Sequence, residues 1–213
     1  MEGMTRRERE KQAREEEIIT AAEKIFCVKG FEEASMDEIA AESQFTKRTL
    51  YQYFTSKEEL YFAVALKGMK KLGRYIYEAS EKEKTGFLKI KSSAKGYYRF
   101  YRDFPETLRL MSYIGHVKKK SGGEGKWRKE LMQFDDNMFL ALAGVIDEGK
   151  TDGSIREDID AKMASYSLIF MMTGFFTQLS TTGETFMKHF SLEDGDFTGF
   201  SIDLLLSSVA GGR

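Results

Sequence analysis

The stretch Ala34 to Leu60, ASMDEIAAESQFTKRTLYQYFTSKEEL, constrains the fold more than any other part of this chain, because it signals three short helices, each opened by a hydroxyl cap. Ser35 is a natural N-cap, Glu38 stands at the capping-box position three residues on, and Ala34 and Ile39 sit where a hydrophobic staple packs. A helix starting near Met36 cannot run past about Ser43, because Thr46 caps a new one, with Phe45 and Leu50 at the staple positions around it. Two short helices separated by a turn of a few residues are what a helix-turn-helix needs to set its second helix in a DNA groove.

In that second helix Leu50, Tyr53 and Phe54 share the inward side, so at about 100° per residue Arg48 and Gln52 face outward, flanked by Lys47 and Tyr51. From Ser43 to Lys57 the chain carries Lys47, Arg48 and Lys57 and no acidic residue. Ser56 opens a further helix with Glu59 at its capping-box position, which leaves Lys57 in the first turn, where backbone N–H groups also point outward and can receive a phosphate.

The run TKRTLYQYFTSKEEL resembles the recognition helix and following helix of the tetracycline-repressor-like (TetR) family of transcriptional regulators. Upstream, IITAAEKIFCVKGFEEASMDEIA is similar to that family's first two helices, with Gly30 ending helix one and Phe31 folding back onto Phe26. The resemblance covers roughly residues 15–66. It departs at the turn between helices two and three, where the family usually has Ala-Gly and this chain has Ser43 and Gln44, a residue that tolerates positive φ poorly. Carried over residue by residue, the resemblance implies that Thr46 caps the recognition helix and meets a phosphate. By the same token Lys47, Arg48, Thr49 and Gln52 reach base edges, and Tyr51, Tyr53 and Lys57 grip the DNA backbone. Arg48 can donate two bonds to guanine in the major groove or swing to a phosphate; phosphate contacts position a protein without reading sequence.

With 213 residues, 41 % of them hydrophobic, and a single Pro, the chain is long enough for a sizeable core and suits a mostly helical architecture. Its formal charge of -1 argues against coating nucleic acid by bulk electrostatics and for docking through a local patch. Cys27 has no second cysteine to pair with and reads as a small hydrophobe on helix one, consistent with a reducing compartment. No signal peptide opens the chain and no apolar run spans a bilayer, so the expectation is a cytoplasmic protein without a membrane partner. The first residues, MEGMTRREREKQAREEE, suit either a disordered arm or an N-terminal extension of helix one laced with i,i+4 ion pairs. An arm laying Arg6 and Arg7 along a minor groove is the functional alternative.

Beyond residue 66 the pattern is a succession of helices without strand alternation. Spacing predicts helices over Ser56–Glu81, Gly86–Arg102, Pro105–His116, Gly125–Lys150, Ala161–Thr181 and Phe197–Ala210, with breaks at KKKSGGEGK and TDGSIREDID. The fold expected is all-α: an N-terminal arm and three-helix DNA-binding head (1–55) and a C-terminal helical ligand-binding and dimerisation body (56–213). The body is rich in Met and aromatic residues, most of which must be core. The family resemblance implies a cavity for a hydrophobic or aromatic small-molecule effector, for which Tyr101, Met111, Phe139 and Met172 are the candidate lining. It also implies a homodimer through the last two helices, with Phe170, Phe200 and Leu204 as contributors.

An enzyme is not expected. The two histidines, His116 and His189, lie far apart, and His189 with Glu193 reads as a surface i,i+4 pair rather than a metal site. SGGEGKW resembles a phosphate loop, but Trp127 stands where Ser or Thr is required and no strand precedes it, so it reads as a mobile loop. No cofactor is called for. The reading is a homodimeric repressor that sits on a pseudo-palindromic double-stranded operator and is released by its effector. A DNA-bound scaffold that recruits a protein partner without any effector, and an enzyme built on the helical body, are the alternatives.

Overall fold

The computed structural model describes residues 5–122 and 125–212. Its order is α1 (Arg6–Glu33), α2 (Met36–Glu42), α3 (Lys47–Tyr53), α4 (Lys57–Ser80) and α5 (Gly86–Asp103). There follow α6 (Pro105–Ser112), α7 (Ile114–Lys120), α8 (Lys126–Thr151), α9 (Ala161–Phe190) and α10 (Asp194–Ser207). Among the described residues the only extended pairing is an isolated bridge between Ile155 and Ala210, so the fold is all-α.

From Thr5 onward the N-terminal segment is the helical extension rather than an arm: Thr5 caps α1 in a complete capping box with Glu8, and Arg6 pairs with Glu10 at 2.8 Å. Residues 1–4 lie outside the described residues. Near its end α1 is interrupted by Gly30 at φ 76°, after which Phe31 returns to Phe26 with ring centroids 6.0 Å apart. The α2 helix likewise ends in a left-handed residue, but here it is Gln44, at φ 58°. The Gln44 N–H donates to the Ala41 carbonyl and the Phe45 N–H to that of Ala40, the paired bonds of a Schellman close. A side chain in this region costs about 1–2 kcal/mol, partly offset by the greater freedom of glycine in the unfolded chain. Gln44→Gly should therefore stabilise the protein by about 0.5–1 kcal/mol in urea unfolding; a loss of stability would mean the Gln44 side chain holds the turn.

The chain forms two compact units. One comprises the described residues up to Gly68 together with Leu110–Met132; the other comprises Met69–Arg109 and residues from Gln133 onward. In the first, Phe26, Phe31 and Tyr61 form a buried aromatic cluster, with Tyr61 5.3 Å from Phe26 and 5.1 Å from Phe31, both edge-on. The Tyr61 hydroxyl donates to the Leu110 carbonyl, and burial pushes its pKa up, which keeps it a donor. Residues 110–132, which the sequence places in the body, thus share the core of the helix-turn-helix.

The segment expected as one helix, Pro105–His116, is two: α6 stops at Ser112, and α7 begins after Tyr113. Tyr113 is turned to Glu32 of α1, donating its hydroxyl at 2.8 Å, and Gly115 does little to hold a continuous helix together.

In the second unit Tyr97 of α5 stacks on Phe176 of α9 at 4.4 Å, and Tyr98 and Arg102 both donate to Asp194 at the start of α10. The α9 helix runs nine residues past the expected end at Thr181. Thr181 and Thr182 do not stop it because their hydroxyls donate back to the carbonyls of Thr177 and Gln178. It closes instead at Ser191, left-handed at φ 53°.

Candidate DNA-binding interface

Two caps define the ends that matter. Ser35 accepts from the Glu38 N–H, and the Glu38 carboxylate accepts from the Ser35 N–H at 3.0 Å, completing the box at the start of α2. Thr46 accepts from the Thr49 N–H at 3.1 Å to start α3, and the two threonine hydroxyls lie 2.8 Å apart. Leu50 and Phe54 are buried, which pins α3 to the core by the side opposite its cationic face. Lys47, Arg48, Tyr51 and Gln52 are exposed in one ridge, while Thr49 and Tyr53 are half-buried at its margins.

The ridge is partly engaged in the free protein. Lys47 donates to the Asp37 carboxylate at 2.8 Å, a bond that raises its pKa, so reaching a base edge means exchanging one acceptor for another. Lys57 is placed differently from the phosphate-gripping position the resemblance implies. Its ammonium donates to the carbonyls of Phe31 at 2.7 Å, Ala34 at 2.9 Å and Glu32 at 3.3 Å, and lies 4.4 Å from the Phe31 ring centre. All three N–H donors of the ammonium are used to close the end of α1.

Glu38 also pairs with Lys29, and this bond together with those from Ser35 holds its carboxyl well down, at about 2. The folded pKa is depressed, so the contribution is present above the ordinary glutamate range and disappears as pH falls towards 2. The side-chain carboxyl resonance of Glu38 should titrate with a midpoint near 2 and return towards the ordinary range in Lys29→Ala; an ordinary midpoint in the wild type would remove this pair from the account.

Two supports of the interface were not legible in the sequence. Trp127 stacks on Phe54, the residue that ends α3, at 6.0 Å and 25°. Glu59, nearly fully buried, does not complete a capping box with Ser56; its carboxylate accepts from the N–H groups of Trp127 at 2.9 Å and Arg128 at 3.4 Å, at the start of α8. An acidic residue directly before the apolar run Leu60–Leu66 was the one available hint of a buried acceptor. Of the loop read as mobile, Gly123 and Glu124 lie outside the described residues; Gly125 is held against Glu59.

The four candidate effector-lining residues meet different neighbours. Tyr101 packs by Tyr98 and Phe176, Phe139 meets Tyr166 edge-on at 5.0 Å, and Met111 belongs to the unit that holds the helix-turn-helix. Met172 lines a cleft of about 60 Å³ with Met171, Phe175, Ser201, Ile202 and Leu205. Phe170, Phe200 and Leu204 are 82 %, 69 % and 63 % exposed. His116 lies 3.4 Å from Glu32, and the His189 ring meets Phe190. Among the described residues no group of three or more His, Cys, Asp or Glu could hold a metal ion, and no helix is long and apolar enough to cross a membrane.

Residues 18–64 match the family model described as bacterial regulatory proteins, tetR family. Over 95 residues the chain is 28 % identical to the HTH-type transcriptional activator FasR of Mycolicibacterium smegmatis, a stretch covering 45 % of this chain and 43 % of FasR. The match thus spans less than half the length of that relative. A tetR-family regulatory protein from Rhodococcus RHA1 superposes with a TM-score of 0.70 at 18 % identity, covering 94 % of this chain and 98 % of that one. The transcriptional regulator FadR from Bacillus subtilis, solved in complex with stearoyl-CoA, does so with a TM-score of 0.68 at 17 % identity, covering 90 % and 97 %. The last two likenesses are of fold.

Proposed function

We propose that this chain, whose residues 18–64 match the tetR family model, is a helix-turn-helix transcriptional regulator of that family and acts in the cytoplasm as a homodimer on a pseudo-palindromic operator. Each protomer reads one half-site with α3. The observation that carries this reading is the exposed ridge of Lys47, Arg48, Tyr51 and Gln52, held rigid by the Thr46 cap and the buried Leu50 and Phe54. Arg48 and Gln52 are assigned to base edges, with Lys47 and Thr49 beside them; Thr46, Tyr51 and Tyr53 are assigned to phosphates. Lys57 acts from behind, by fixing the end of α1 against the start of α4. The exposed Phe170, Phe200 and Leu204 are assigned to the two-fold interface, because solvent leaves three large apolar side chains on α9 and α10 uncovered.

Control is assigned to a hydrophobic effector that releases the protein from DNA. The FadR structure with stearoyl-CoA makes a long-chain acyl thioester the first compound to try. By linkage, an effector that weakens operator binding is itself bound more weakly by the operator complex, by the same factor. We assign the coupling to α4, which contributes residues to both units. The cleft beside Met172, lined by α9 and α10, is far below the roughly 300 Å³ of ordinary ligand pockets. That small volume also favours a second reading, a DNA-bound scaffold without an effector. Identical stearoyl-CoA affinity with and without operator would support it.

The test is selection of bound genomic fragments, followed by anisotropy titration of the best one. A saturable, palindromic site is expected, weakened at least about tenfold by Tyr51→Ala, whereas Arg48→Ala relaxes preference at one base position. No enriched site, or equal binding by Tyr51→Ala, would overturn the reading.

A further inference from the structure

The residues up to Gly68 hold eleven Lys and Arg against fourteen Asp and Glu, a net charge of -3. That is an unfavourable sign for a segment that approaches a polyanion. The other part of the same unit, residues 110–132, holds six Lys and Arg against two Glu, a net +4. Three of those cations are consecutive, Lys118, Lys119 and Lys120, in the last turn of α7.

Hydrogen bonds fix where this turn lies. Lys120 donates to the Glu32 carboxylate at 2.6 Å and Tyr113 to the same oxygen at 2.8 Å, so α7 is fastened to the end of α1. Glu32 precedes by five residues Asp37, whose carboxylate holds Lys47 of α3. Five residues span at most ~18 Å even when fully extended. Phosphates about half a helical turn of duplex from the bases read by α3, some ~17 Å along the axis, lie at a comparable distance.

We propose that Lys118 and Lys119 form a second DNA contact outside the helix-turn-helix, taking phosphates that flank each half-site. Lys120 is the tether that sets them there through Glu32. The proposal rests on the operator reading given above. This second contact supplies the positive potential that the acidic head lacks, and being made to phosphate it carries no sequence information.

The experiment uses the full chain and two duplexes, the enriched genomic fragment and one of unrelated sequence, each titrated over a range of salt. Lys118→Ala with Lys119→Ala should reduce the slope of log K against log salt by about 0.9 for each phosphate no longer neutralised, on both duplexes and with unchanged base preference. Charge reversal of both lysines to Glu should weaken binding further. Trimming flanking base pairs from the fragment should cost the wild type affinity and leave the double variant unaffected. Lys82→Ala with Lys84→Ala, which removes the same charge from the other unit, should leave the slope as it is. Three lysines serving only the negative end of a short helix would lower stability on removal and leave the slope alone. An unchanged slope, or an equal change in the Lys82 and Lys84 control, overturns the second contact while leaving the operator reading intact. A wild-type chain that holds neither duplex overturns both.

Discussion

Glu59→Ala should lower the stability of the protein by about 2–3 kcal/mol, measured by urea unfolding, because two N–H groups at the start of α8 are deprived of a charged acceptor that little water can replace. Amide exchange at Trp127 and Arg128 should accelerate with it. A Cβ built on Gly125 would lie 1.9 Å from the Glu59 carboxylate carbon and one of its oxygens, so Gly125→Ala must displace the same carboxylate and cost a similar amount. The two effects should not add. With Glu59→Ala already in place the space is open, and Gly125→Ala should then cost little, which a double-mutant cycle reads directly. Additive effects would show that Gly125 serves backbone conformation alone. Because Trp127 backs Phe54 at the end of α3, the Glu59 variant should also weaken DNA binding more than its reduced stability accounts for.

The second large effect concerns assembly. Phe170→Asp combined with Phe200→Asp should convert the protein to monomers in sedimentation velocity and reduce operator affinity at least about a hundredfold, since a monomer reads one half-site only. Both side chains are more than two-thirds exposed in the single chain, so the variant should unfold as cooperatively as the wild type. A dimer that survives both substitutions would place the interface on another face. A monomer that keeps full operator affinity would separate assembly from DNA reading.

What was legible from sequence lies where the physics is local. The caps at Ser35 and Thr46, the break at Gly30, and the inward Leu50 and Phe54 of α3 depend on residues within four positions of one another, and each is found as the spacing predicts. Local signals failed where a distant partner competed with them and won. Glu59 had a nearby place in a capping box and took the start of α8 instead. Lys57 stood in the first turn of a helix, open to a phosphate, and closed the end of α1. Thr181 looked like a stop, yet Gly183 just beyond it lies beneath Tyr101, and α9 continued to Phe190. The shared core of residues 110–132 and the helix-turn-helix was invisible for the same reason, since it joins residues 49 to 73 positions apart.

By itself, then, the sequence determined the all-α class, the three-helix head and the chemical character of the α3 ridge, because caps, turns and a helical period of about 3.6 residues are set by neighbouring side chains. Only the tertiary structure decided which cations remain exposed on that ridge, which are consumed as internal caps, and which part of the body joins the head. Those outcomes depend on competition for buried acceptors between residues far apart in the chain, and a buried N–H or carbonyl left unpaired costs more than any local preference can return.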